Sequence, residues 1–153
     1  MLIFNANGDV FMQKRSRWKD RHPLKWDSSA AGHVNAGEEY DAAALRELNE
    51  ELGISTELKR ITKLPASEQT GQEFIWLYRG RHDGPFRLAP SEIEHGDFFP
   101  VALVSEWILA RPDDFAPGFV ACWDAYEKGH PERREGPRSN TRGSSRSSSL
   151  RSE

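Results

Sequence analysis

Gly32-His33-Val34-Asn35-Ala36-Gly37-Glu38-Glu39-Tyr40-Asp41-Ala42-Ala43-Ala44-Leu45-Arg46-Glu47-Leu48-Asn49-Glu50-Glu51-Leu52-Gly53-Ile54 is the stretch that decides the fold. Its second half reads as a helix over 39–52. Ala42, Ala43 and Ala44 are strong helix formers, and Leu45, Leu48 and Leu52 recur at helical spacing. Asp41 is the expected N-cap, and Gly53 stands where a left-handed residue ends a helix. Glu47 lies three residues before Glu50 and four before Glu51, so the three carboxylates share a face. Like charges at these spacings repel by a few tenths of a kcal/mol per pair on a free helix. Arg46 can neutralise one neighbour but not all three. Two readings follow: a solvated acidic face, or oxygen ligands for a hard divalent cation such as Mg²⁺. The leucines beside the glutamates put some of these carboxylates near the core boundary. Spacing alone leaves both readings open.

Outward from this segment, short strands alternate with loops. Residues 2–4 and 10–14 are apolar or alternating, and the turn-rich Asn5-Ala6-Asn7-Gly8-Asp9 between them predicts a hairpin. The basic stretch 15–25, with Pro23 inside it, reads as a loop, and 26–32 as a short strand and turn. Strands are predicted at 57–63 and 73–80, the run 74–78 being apolar enough for burial on both faces. One more is expected at 98–101, and helices at 102–110 and 118–128. Mixed strands flanked by helices make an α/β class, layered as an α/β/α sandwich.

Composition divides the chain at residue 128. From 129 to 153 there are six Arg, three Glu and seven Ser, with Leu150 the one large aliphatic. Such a segment cannot bury enough apolar area to offset its ordering entropy, and is expected to be a disordered tail. Its net charge of +3 leaves −6 of the overall −3 on residues 1–128. An acidic body argues against a nucleic-acid partner. No apolar run approaches the roughly 20 residues that span a bilayer. The first residues lack a basic signal-peptide region, and Cys122 is the only cysteine, so an intrachain disulfide is excluded. A cytoplasmic protein without membrane contact is the simplest expectation.

Gly32, Glu38 and Arg46-Glu47-Leu48-Asn49-Glu50-Glu51-Leu52-Gly53-Ile54 resemble a complete Nudix box. All nine fixed or restricted positions in its 23 residues are met, which makes the signal highly specific. The wider resemblance covers residues 1–128. It implies a Nudix-type α/β/α sandwich with a mixed sheet, and a metal-dependent hydrolase cleaving a phosphoanhydride bond. The substrate implied is a small-molecule diphosphate, a nucleoside diphosphate linked to another moiety. The resemblance further implies Mg²⁺, or Mn²⁺ in its place, held by Glu47, Glu50 and Glu51. Glu38 and Arg46 would brace the loop against the helix, with Gly32 and Gly53 allowing tight backbone at its ends. Such a cation lowers the repulsion that protects a diphosphate from attack. A carboxylate that takes the attacking water's proton adds roughly 10² to 10⁴-fold. Glu50 and Glu51 are candidates for that base inside the box. Glu92, with Glu94 beside it, is one outside it, since relatives keep a later loop glutamate there; exposed loop acids are the plain alternative.

The flanks resemble isopentenyl diphosphate isomerase, a relative on the same fold. The shared positions are residues 2–8, Lys14-Arg15-Ser16, Pro23, Trp26 and Gly32-His33. That similarity implies Arg15 and Lys19 as contacts for substrate phosphate. The isomerase chemistry is not carried over. Ala30-Ala31 stand where its cysteine precedes the Gly-His pair, Gly71 replaces one of its paired glutamates, leaving Glu73, and no histidine precedes His22. The marks of NADH pyrophosphatases, ADP-ribose hydrolases and coenzyme A hydrolases are also missing. Relatives carry more sequence before the equivalent of Leu2, so the chain is expected to start late. An isomerase-like enzyme and a non-catalytic nucleotide-binding module are the alternatives to a hydrolase. His33, Trp26 and Trp76 could touch a ligand, but loop hydrogen bonding and core packing are the plainer roles. Cys122 reads as a small apolar residue.

Overall fold

The computed structural model describes residues 1–130. The expected tail, apart from Gly129 and His130, lies outside them. The elements run β1 (Leu2–Phe4), β2 (Val10–Arg15), β3 (Trp26–Asp27), α1 (Tyr40–Leu52), β4 (Lys59–Leu64), β5 (Ile75–Arg81), β6 (Ile93–Phe99), α2 (Val101–Ala110), a 3₁₀ turn (Pro112–Asp114) and α3 (Pro117–Gly129).

The sheet is mixed. β1 pairs antiparallel with β2 and parallel with β5, and β4 closes the far edge against β5. On its other side β2 pairs with β6 along its whole length, Val10 opposite Phe99 and Lys14 opposite His95. β3 pairs with Gln13 and Lys14, taking over where β1 ends.

Alternation along the strands supplies two cores. Leu2, Phe4, Val10, Met12 and Leu77 face α2 and α3, where they meet Val104, Phe119, Cys122, Trp123 and Tyr126. Ile3, Phe11, Tyr78 and Ile93 face α1 and meet Ala44, Leu48 and Leu52. The result is the expected α/β/α sandwich. Leu48 and Leu52 are fully buried, and each contributes roughly 1.5–3 kcal/mol by leaving water. Cys122 is buried on α3, and burial pushes its thiol pKa up to about 11.

Several local expectations need correction. Asp41 is not the N-cap; Glu39 holds that position and makes no side-chain cap bond. Asp41 sits in the first turn, where a negative charge complements the helix dipole. Its Oδ1 accepts from Tyr78 Oη at 2.6 Å and Arg60 Nε at 2.7 Å. Leu45 is 42% exposed, its place in the core taken by Ala43 and Ala44. Of residues 74–78, Leu77 and Tyr78 are buried on opposite faces of the sheet as expected, Ile75 and Trp76 are half-buried, and Phe74, just before the strand, is exposed. β1 pairs only with Arg79 to Arg81, so the first half of β5 has β4 as its one strand neighbour. β6 begins at Ile93 rather than Phe98, and Val101 opens α2 rather than ending a strand.

Among the described residues no helix is long and apolar enough to cross a membrane.

Candidate active site

The glutamates of α1 differ sharply in their surroundings. Glu51 is only 4% exposed and points to the sheet. Its Oε1 accepts from Gln13 Nε2 at 3.1 Å, and its Oε2 from the Ala31 amide at 3.0 Å. Gln13 Nε2 also donates to the Ser29 carbonyl. Helix, strand β2 and the segment before Gly32 are thus joined at one carboxylate. Burial raises the Glu51 pKa to about 7; the bonds from Gln13 and Ala31 oppose that shift, and the nearby Glu47 charge adds to it.

Glu47 packs against Gly32. A Cβ at Gly32 would stand 2.0 Å from Glu47 Cδ and 2.5 Å from its Oε1. Only glycine lets the loop and this carboxylate come so close. Glu50, one turn from Arg46, is 57% exposed at its side chain.

Arg46 links the loop to the helix. Its Nε and Nη2 grip both oxygens of Glu38 at 2.8 and 2.9 Å, and Nη2 also reaches the His33 carbonyl at 3.0 Å. This bidentate pair is the strong form of a charge-assisted bond. It holds the Glu38 carboxyl at about 2, helped by the Asn35 amide. Nη1 of the same arginine lies 2.8 Å from Glu47 and 3.1 Å from Glu50. The arginine therefore serves two of the three helix carboxylates as well as Glu38, more than its sequence position implied. Gly53 ends the helix at φ +67, its amide donating to Asn49 O.

Arg46 Nη1 joins Glu47 to Glu50, and Glu47 lies near enough to Glu51 to act on its charge, while Glu51 is buried against the sheet and Glu50 is exposed. Among the described residues no three of His, Cys, Asp and Glu are placed to hold a metal ion. The donor set is nonetheless all oxygen, which suits a hard cation. Glu50 is exposed enough to turn, and the Gly32 cradle keeps Glu47 close to the loop.

The residues expected to meet phosphate lie past Gln13 on β2 and the following loop. Arg15 Nη1 pairs with Asp27 at 3.1 Å and Nε with the Arg21 carbonyl. Lys19 Nζ lies 2.5 Å from Glu92, so the candidate phosphate ligand and the candidate base are paired with each other. Glu94 pairs with Arg17 instead. Glu92 precedes β6 and Glu94 lies within it, so this pair flanks a strand rather than sitting in a free loop.

His33 is largely exposed, 3.6 Å from Glu73. Trp26 packs edge-on against Phe99 and Trp107, and Trp76 lies under the Arg60 guanidinium at 4.4 Å. A cleft of about 340 Å³ lined by Lys14, Lys25, Trp26 and Asp113 contains none of the box residues.

The family model for the NUDIX domain matches residues 1–119. A Nudix hydrolase of Yersinia pestis, named as uncharacterized, is 35% identical over 126 residues, covering 76% of this chain and 63% of that protein. The chain thus spans under two thirds of that relative's length. An isopentenyl-diphosphate Delta-isomerase of Nocardia farcinica is 39% identical over 123 residues, 76% of this chain and 70% of the other. A crystal structure from Deinococcus radiodurans superposes with a TM-score of 0.65 at 26% identity, over 71% of this chain and 69% of that one. With its box intact from Gly32 to Ile54 and its sheet and helices in place, the chain belongs to the Nudix family.

Proposed function

We propose that this chain is a divalent-metal-dependent hydrolase of phosphoanhydride bonds, acting on a nucleoside diphosphate linked to another moiety. The observation that carries this reading is Glu51: a carboxylate buried against Gln13 and Ala31, with the Glu47 charge nearby and Glu47 tied to Glu50 through Arg46. Burying such a group is unfavourable unless something compensates its charge. Glu47, Glu50 and Glu51 would hold Mg²⁺ or Mn²⁺ through their carboxylate oxygens, the ligand type a hard cation takes. Bound there, the cation would reduce the charge repulsion that protects the diphosphate.

The chain's own groups supply the rest. Arg46 and Glu38 hold the loop, and with it the Ala31 amide, against the helix. Arg15 and Lys19 would meet the phosphate oxygens, Lys19 turning away from Glu92 to do so. Glu92, then free of its partner, would be one acceptor for the proton of the attacking water. Glu50 and Glu51 are the others.

An isomerase reading draws on the similarity to isopentenyl-diphosphate Delta-isomerases. Ala31 offers no proton at the position of the expected thiol. The one thiol, Cys122, is buried on the opposite face of the sheet. The hydrolase reading is therefore the better supported. A ³¹P NMR screen of nucleoside diphosphate derivatives with Mg²⁺, then Mn²⁺, tests it. Release of phosphate or nucleotide from at least one compound, abolished by EDTA, is expected; no cleavage of any would contradict it.

A further inference from the structure

The five tryptophans differ in what covers them. Trp26 and Trp107 pack on each other and on Phe99, Trp123 is buried beside Phe119, and Trp76 lies beneath Arg60. Trp18 is 81% exposed, and its ring meets no other ring or cation among the described residues. A large apolar side chain left in water is unfavourable by the area it fails to bury.

This exposure is not that of a loose loop. Ser16, two residues earlier, is fully buried, and its amide donates to Glu92 O at 3.0 Å. Its Oγ accepts from the Trp18 amide at 3.2 Å, and its carbonyl from the Lys19 amide at 3.1 Å. The loop is closed at its base by Arg15 and Leu24–Lys25, whose amides and carbonyls exchange bonds of 2.8 and 3.0 Å. Trp18 is thus presented on a fixed turn.

Its surroundings have the composition that recognises a phosphorylated ring compound. Residues 15–25 hold five Lys or Arg and one Asp. Arg17 and Lys19 flank Trp18 in sequence, each paired with a carboxylate on β6 or just before it. Trp18 is also within reach of the box. Gln13, which holds Glu51, lies five residues before it, so the two are at most about 17 Å apart along extended chain. That is within the span of an extended nucleoside diphosphate ester.

We propose that Trp18 is a specificity-determining residue, the platform on which the heterocyclic base of a nucleoside diphosphate substrate stacks. The inference rests on the phosphoanhydride reading and adds to it the residue that holds the base. A flat, rigid indole gives stacking area at little entropic loss. Base–aromatic stacking of this kind tolerates different bases.

Calorimetry on the full chain with Mg²⁺ tests this, using inorganic pyrophosphate and the common ribonucleoside diphosphates as probes. At least one nucleoside diphosphate should bind the wild type more tightly than pyrophosphate does. Trp18→Ala should weaken that binding about tenfold or more, leave pyrophosphate within about twofold, and be largely rescued by Trp18→Phe. Circular dichroism should be unchanged, since Trp18 is 81% exposed. Nucleoside diphosphates bound no tighter than pyrophosphate, or an equal loss for both in Trp18→Ala, would overturn the platform while leaving the hydrolase reading in place. Failure of every probe to bind in a Mg²⁺-dependent way would overturn both.

Discussion

Glu51→Gln and Glu50→Gln are each expected to lower turnover by at least about tenfold while the fold stays intact. Glutamine keeps the size of the side chain and removes its charge. Loss of one carboxylate from a divalent-cation site removes charge compensation worth roughly a kcal/mol or more in the transition state. The two positions control for each other. Glu50 is exposed, so its replacement leaves packing untouched. Glu51 is buried between Gln13 and Ala31, where the amide can keep one of the two bonds. The measurement is kcat at saturating Mg²⁺, with circular dichroism as the check on folding. Undiminished turnover in both variants would show that the box does not carry the metal.

The second large effect concerns stability in the absence of metal. Glu51 titrates at about 7 in the folded chain, against an ordinary value of 4.5, because burial disfavours its charged form. The folded state therefore binds a proton more readily than the unfolded one between these values. Stability falls as pH rises from about 4.5 to 7, by an amount on the order of 3 kcal/mol, and stays low above that. Urea unfolding in EDTA at pH 5 and pH 8 should show this loss in the wild type. Glu51→Gln, having nothing to titrate there, should show a smaller loss. Mg²⁺ should restore the wild type at pH 8 by favouring the ionised carboxylate. Equal pH dependence in wild type and variant would contradict the burial account.

Much of the fold was legible because its signals are local. The Asn5–Asp9 turn and the alanine-rich α1 ended by Gly53 each act within a few residues. β6 was cut short in the reading because Glu94, His95, Gly96 and Asp97 look like a loop. They form a strand through their pairing with β2, which is non-local. The apolar run 74–78 does not show that Phe74 falls just before the strand and stays exposed while Leu77 and Tyr78 are buried. In the site, the glutamates and the Arg46–Glu38 spacing stood in the box itself. The bonds from Gln13 and Ala31 to Glu51 did not, since they depend on how β2 and the preceding loop meet the helix. Trp18 was missed because exposure is not a sequence property. Its cue, a tryptophan between two cations, was present in Arg17-Trp18-Lys19.

The most direct test of the account places two chemistries in one tube. Purified protein is given isopentenyl diphosphate together with each of a series of nucleoside diphosphate derivatives, with Mg²⁺, and both are followed by ¹H and ³¹P NMR. Protonation at carbon needs a group that Ala31 cannot supply, whereas the α1 carboxylates can serve attack at phosphorus. Cleavage of at least one anhydride without any allylic isomer is predicted, stopping on addition of EDTA and resuming with excess Mg²⁺. Formation of the allylic isomer with no anhydride cleaved in any compound of the series would contradict the account.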